Sequence, residues 1–514
     1  MALSRNSIKH LVLLLFIVLT LTPPALVIVL DFSIDSYRSV FFNPRQLTIF
    51  FRTVELGLGV SLFSLLLGCV VAFLLECTDM PFNRFFNIAT IVPLLIPPYI
   101  SVIGWMVLLG KKGDWINISL PINIYNIETA VVLLSLSFFP MISIIVSYAL
   151  RNADYRLEEA ARQVLSPIAA FRKATIPLVL PHIVISTLFV FLLSISEYGV
   201  PSLLQVHVFM TEIFAEFSAF FNMGNSVALS IPLLALILFI IFLINHKVKD
   251  KSYVTISSFT RSRRTIRLTQ TQKILGIAYL STLVLVSAVI PLMILFYMSH
   301  AKFGQAWETA WDSVINSFWL AALSATILSG IAFIVAYFHR RLTDPLVLSP
   351  LAVPSAIIGL GLIKMWNHSQ TNFIYATPAI ILLGVLARFL PFVIKTYSPF
   401  FEQMHESVER AARQSGASFH KMLWKITMPL MRRSYIPVWA IAFILSLREL
   451  EVTLLVTPPG FQTLPNRIYT LLHYGDYELV SALCIMVVVL IVLPLVSIIL
   501  LENVIKWRIS KSRD

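Results

Sequence analysis

The segments "EEAARQVLSPIAAFRKATIPLVLP" (158–181) and "ERAARQSGASFHKMLWKITMPLMRR" (409–433) are two versions of one pattern, with Ala160 and Ala411 set 251 positions apart. Both are charged islands in a chain of 514 residues that is 58% hydrophobic and only 13% charged, with mean hydropathy +0.85. A soluble domain carries roughly 25% charge, so water cannot be the solvent for most of this surface. What surrounds the two islands decides the fold.

Crossing a bilayer as a helix takes about 20 consecutive apolar residues. Runs of that kind occupy 11–30, 53–75, 86–109, 128–150, 178–203, 226–246, 274–298, 314–338, 346–366, 374–396, 435–457 and 479–501. No alternating ten-residue pattern suggests spanning strands. The expected class is an all-α polytopic membrane protein with about twelve transmembrane helices. The first run lacks a small-residue cleavage site before Asp31 and reads as a retained helix, not a removed signal peptide.

The net charge of +13 is unevenly spread. Segments on one side of the twelve runs hold 29 of the 39 Lys and Arg, those on the other side 8, and Arg388 and Arg448 lie within runs. The positive-inside rule then places both termini in the cytoplasm. It also makes the basic stretch 246–273 a cytoplasmic linker against anionic headgroups, in preference to a nucleic-acid site. Cys69, Cys77 and Cys484 are too few and too scattered for a disulfide frame or metal knuckle.

The islands belong to a wider duplication. "CVVAFLLECTDMP" (69–81) matches "FIVAYFHRRLTDP" (333–345), "LLIPP" (94–98) matches "LAVPS" (351–355), Pro140 matches Pro391, and "LLSISE" (192–197) matches "ILSLRE" (444–449). Six helices per half leave both halves in the same orientation, a parallel repeat. The expected division is a first module at 1–250, a basic linker at 251–273 and a second module at 274–514.

Each island falls between the fourth and fifth helices of its half, on the cytoplasmic side. Ala160, Ala161, Val164, Leu165, Ile168 and Phe171 recur at helical spacing. Ser166 and Pro167 resemble a helix N-cap and its first residue. In the second copy Gly416 fits a helix C-cap, and Ser418 can cap a following helix that carries Met422, Leu423 and Ile426. Two short helices with a bend are expected in each loop. Such an element could lie on the lipid surface, pack on its own helices, or plug into a soluble partner. Its recurrence at matched places favours a partner that comes in pairs.

The two islands resemble the cytoplasmic Glu-Ala-Ala loop of binding-protein-dependent ABC transporter permease subunits, and the resemblance extends over essentially the whole chain as two fused modules. It implies that Glu159, Ala160, Ala161, Leu165 and Phe171, and in the second loop Glu409, Arg410, Ala411, Ala412, Gly416 and Leu423, form docking elements for two ATP-binding-cassette subunits. The copies depart from the pattern in different ways. Leu165 stands where the family has Gly, after a loop one residue short, and Arg410 stands at the glutamate position. One residue turns a helix by about 100°, so the two docking surfaces are expected to differ. The stretch "LRELEVTLLVTPPGFQTLPNRIYTLLHYGDYE" (447–478) is most similar to ferric-iron permeases, with thiamine, phosphonate and polyamine permeases sharing its outline.

No GxxxxGK[ST] loop and no paired metal motif occur. The expectation is a permease that is not itself an enzyme, with no catalytic residues, no metal site and no cofactor of its own. ATP would be bound by the partner subunits, and solute delivered by an extracytoplasmic binding protein to the bacterial inner membrane. Charges within spans cost roughly 2.5–3.5 kcal/mol on insertion scales and usually face protein or water. That makes Glu197, Arg448, Glu449 and Glu451 translocation-pathway candidates, or else helix-bracing ion pairs. Arg448 and Glu451, three apart, are placed to pair; Glu55 and Arg388 are expected to be structural. Carboxylates suit Fe3+, whereas the arginine suits an anion or chelate. An ion-coupled secondary transporter, also built from parallel halves, is the competing class; it does not predict the docking loops.

Overall fold

Proline placement shapes much of the backbone. The computed structural model describes residues 5–31, 33–110, 123–249, 266–338, 350, 353–403 and 406–511. Among the described residues eight helices are each long and apolar enough to cross a membrane, and three further pairs reach that length only across a bend. The run 86–109 is one such pair: Asn83–Leu95 and Pro98–Leu109 meet at 88°. Pro97 is extended there (ψ 132°), and its ring disfavours a helical residue before it. Pro354 repeats this conformation (ψ 139°) ahead of Ser355–Trp366, and the helices that follow Pro97 and Pro354 are each 12 residues long. The LLIPP/LAVPS repeat is thus a repeated start of a half-length helix. Of the ninth run, 346–349 and 351–352 lie outside the described residues. The protein is an all-α polytopic membrane protein; among the described residues the β structure is one isolated bridge, Thr78 to Ile266.

The chain forms two compact units whose membership differs from the order of the repeat. One comprises Arg38–Ala215 and Ile231–Met298; the other comprises Met1–Tyr37, Glu216–Ser230 and Ser299–Asp514. In the first unit, Pro44–Cys77 packs along Ile127–Asn152 through small residues, which let membrane helices approach where lipid supplies no hydrophobic drive. A Cβ on Gly68 would lie 2.7 Å from the Phe139 carbonyl oxygen. Beside it, the Ser64 hydroxyl donates to the Ser135 carbonyl (3.4 Å), and the Ser135 hydroxyl donates to the Val60 carbonyl (3.3 Å). Arg151 closes the same helix pair at its end with two hydrogen bonds to Glu76, at 2.8 and 2.5 Å.

The second unit repeats the device. Phe303–Phe338 buries Ala306, Ala310, Ser313, Ser317 and Ser324 at spacings of three, four and seven. Here Thr22–Leu30 seats against Ser355–Trp366, and a Cβ on Gly361 would meet the Pro23 carbonyl oxygen at 2.2 Å. Val27, Ile357 and Leu360 are buried together, and Lys364 pairs with Asp31 at 2.9 Å.

Most of the basic linker, 250–265, lies outside the described residues. Its end is held by protein. The Ile266 amide donates to the Cys77 carbonyl, and the Asp79 amide donates back to Ile266. The Asp79 carboxylate accepts from the Leu268 amide and pairs with Lys273 at 2.8 Å. Its Lys273 partner above all, then the Leu268 amide, holds the Asp79 carboxyl below its ordinary range.

Candidate functional site: two elbows and a charged break

The first elbow starts at Asp154, whose side chain accepts from the Arg156 amide and caps Tyr155–Ala161. Turns at 162–165 follow, and the Ser166 side chain accepts from the Ala169 amide to open the next helix. The second elbow is Glu406–Gln414, ended by Gly416 in the left-handed region at φ 76°, where a side chain would be strained. The Ala417 amide there donates to the Ala412 carbonyl at 3.1 Å, the long bond of a glycine-terminated helix. Ser418 then accepts from the Lys421 amide. The first elbow has no left-handed residue, as its missing position requires.

Each elbow then enters its membrane helix through a widened turn. The Ile176 amide donates to the Phe171 carbonyl and the Met428 amide to the Leu423 carbonyl, both i→i−5 bonds. Sequence explains them: Pro177 and Pro429 follow directly, lack an N–H, and crowd the carbonyl four residues back. A third such turn, at Leu285–Val289, sits in the same relation to Pro291. The turn is therefore made by proline wherever it occurs.

The side chains sort by exposure. Glu159, Ala160, Arg410, Ala411 and Gly416 are exposed, whereas Ala161, Leu165, Ala412 and Leu423 are half-buried. Phe171 is half-buried with its ring edge-on to Phe73 at 5.5 Å, so it anchors its elbow to Pro44–Cys77. The second elbow uses a residue not singled out from the sequence: Phe419 stacks on Phe338 at 5.8 Å. Glu409 is buried and accepts from Thr427 at 3.5 Å. Its counterpart is Glu158, also overlooked, which is buried and accepts from Thr175 and from Arg162 at 2.6 Å. The signal was present: Glu158 lies 251 positions before Glu409, and Thr175 lies 252 before Thr427.

The other candidates sit where two expected spans break. The helix Phe171–Ile195 stops before Glu197, and Gly199–Leu203 restarts; Arg432–Leu447 stops before Glu449, and Glu451–Val456 restarts. Glu197 and Arg448 are half-buried at these breaks. In the second half the Glu449 carboxylate accepts from Arg388 Nη1 (2.9 and 2.8 Å) and from the Val452 amide (2.7 Å), capping the new helix. Arg388 Nη2 reaches Glu451 at 2.7 Å, and the Ser355 hydroxyl also donates to Glu451. Arg388, expected to pair structurally, is thus the centre of the cluster, and two partners of Glu451, Arg388 and Ser355, lie far off in sequence. The two carboxylates are 1% and 5% exposed and the arginine side chain 23%, so the arginine is the most accessible member of this trio. Glu55 is exposed. Among the described residues no three His, Cys, Asp or Glu side chains converge as metal ligands.

Helices broken at ionisable residues, with an elbow repeated in each half, are the architecture a transporter membrane subunit calls for. The family model for the binding-protein-dependent transport system inner membrane component matches residues 64–251 and again 338–511, and the chain belongs to this family. It is therefore an ABC importer permease of the inner membrane, of the kind that works with a solute-binding protein and an ATPase. Over 488 residues it is 28% identical to the Fe(3+)-transport system permease protein FbpB 2 of Haemophilus influenzae, covering 91% of this chain and 93% of that one. It is 22% identical over 456 residues to the ferric transport system permease protein FbpB of Actinobacillus pleuropneumoniae, covering 80% of this chain and 65% of that protein. The putative 2-aminoethylphosphonate transport system permease protein PhnV of Salmonella choleraesuis is 28% identical over 220 residues, 41% of this chain and 81% of its own.

Proposed function

We propose that this permease moves ferric iron inward, driven by two ATPase subunits seated on the elbows at 155–171 and 406–423, with both termini cytoplasmic. The observation that carries the ATPase reading is the duplicated elbow, capped and exposed in both copies, with Glu159, Ala160, Arg410 and Ala411 outward. The iron reading is supported by the names of the two relatives that match along most of the chain. ATP is held by the partners, and the permease carries no cofactor of its own.

The cluster at the second break is the candidate for the lining of the aqueous path. An arginine inside Ala379–Ser398 whose side chain is 23% exposed is held away from hydrocarbon by the cost of lipid contact. Its exposed part belongs on an aqueous path, with Arg448 at the same break. Glu449 and Glu451 hold the guanidinium in place.

The test is reconstitution in proteoliposomes with the ATPase and the binding protein. Uptake of radioactive iron should require ATP and persist when the proton gradient is collapsed. Uptake that follows the gradient and ignores ATP would establish the ion-coupled class instead. Uptake of phosphonate or polyamine in place of iron would move the substrate assignment to those relatives.

A further inference from the structure

Each elbow is a short helix, a bend, a second helix and then the membrane helix. Bends at 162–166 and 415–418 are made of turns and caps alone, and a force applied to the first helix can be absorbed there as hinge motion. A side-chain hydrogen bond bypasses the bend in each copy. Glu158 leaves the docking helix, is 4% exposed, and accepts from Thr175 in the widened turn beyond the bend. Glu409 does the same with Thr427, at 3% and 0% exposure for the two residues.

We infer that Glu158 and Glu409 are positioning residues, which fasten each docking helix to the head of the fifth and eleventh membrane helices so that a push on the elbow turns the helix.

Three features support this beyond simple stability. A carboxylate at the surface is better solvated left in water, and burying one costs several kcal/mol unless it is hydrogen-bonded; here burial occurs twice, against the same residue type at the same place. An apolar side chain would fill the same space without that cost, so the polar pair serves direction as well as packing. Finally, the threonine sits in the proline-widened turn, the one place in each membrane helix where an i→i−5 bond replaces the regular ladder and where rotation meets least resistance. The neighbouring positions, Glu159 and Arg410, are exposed and of opposite charge, so the repeat keeps the fastening while it varies the outward face.

The inference rests on the elbows being the ATPase contact. The experiment uses the full chain with its ATPase and binding protein in proteoliposomes, and reads three quantities: ATPase retained on the permease, ATP hydrolysed, and solute moved per ATP. Thr175→Val with Thr427→Val removes both fastenings and keeps side-chain shape. The expected result is normal retention of the ATPase with solute moved per ATP down about tenfold, the weight of a lost hydrogen bond to a charged group. Thr175→Ser with Thr427→Ser, which restores the hydroxyl, should recover most of the coupling. Glu158→Gln with Glu409→Gln should fall between. Unchanged solute per ATP in the valine double variant overturns the inference, as does loss of transport in strict proportion to ATPase lost from the permease. A wild-type permease that retains no ATPase, or transports without ATP, overturns the underlying function as well, and is recognised before any variant is compared.

Discussion

The breaks at Glu197 and Glu449 are the same backbone event with different chemistry. In both halves the helix ends, three residues pass without helical structure, and a short helix resumes. In the second half the break gathers Arg388, Glu449, Glu451 and Ser355. At the corresponding positions by the repeat offset the first half has Gly199 opposite Glu451 and Ser137 opposite Arg388. The break is thus common to both halves, whereas the cluster on Arg388 belongs to one. Duplication preserves where a helix stops more faithfully than what is placed there.

The largest expected effect comes from cutting that cluster. Arg388→Met leaves two buried carboxylates without their partner and should cost about 3–5 kcal/mol, seen as lost yield and a lowered melting point in detergent. Adding Glu449→Gln and Glu451→Gln should restore most of it. The matched change in the first half, Ser137→Ala, removes one hydroxyl bonded to the Leu133 carbonyl and should cost about 1 kcal/mol or less. Equal losses in the two halves would break the comparison.

Next in size is a contrast of two helical glycines in the second unit. Gly361→Ala drives a methyl into the Pro23 carbonyl and should cost about 1–3 kcal/mol by overpacking. Gly330, with nothing within 4 Å of the added atom, should gain up to about 1 kcal/mol on substitution by Ala from helix propensity. Thermal unfolding of the two variants reads the difference.

The elbows give a smaller contrast. Gly416→Ala puts a Cβ in the left-handed region and should cost about 1–2 kcal/mol locally, measurable as faster proteolysis at that elbow. Leu165→Gly, in the elbow without such a residue, should bring no compensating gain.

The smallest effect is in pH. Because the Asp79 carboxyl is held below its ordinary range, its contribution is fully present above the ordinary carboxylate pKa and is lost as pH falls through the lowered value. Wild type and Asp79→Asn should therefore differ by a constant amount from pH 8 to pH 5 and converge only in acid below the ordinary range. A difference that changes near neutrality would point to another group.

Much of this was legible in the sequence because it is written in local pattern. Apolar runs gave the class, and the islands gave the elbows with the caps at Ser166, Ser418 and Gly416. Other features depend on partners far along the chain. Nothing at Arg388 indicates that residues 449 and 451 converge on it, and spacing drew attention instead to Arg448. Glu158 was hidden for another reason: the Glu-Ala-Ala pattern pointed to Glu159, while the repeat offset, taken alone, aligns Glu158 with Glu409. The breaks within 178–203 and 435–457 were masked by apolar residues that continue across them, since hydropathy records solvent and not backbone continuity.

Because Thr22–Leu30 fills the groove at Gly361 within the unit that holds Ser299–Asp514, severing the gene at the basic linker would yield two orphaned polypeptides. The carboxy-terminal one would expose the trough left by its missing amino-terminal wedge. Supplying residues 1–37 as a separate peptide should close it, and fission of this permease into two subunits would have to carry that wedge along.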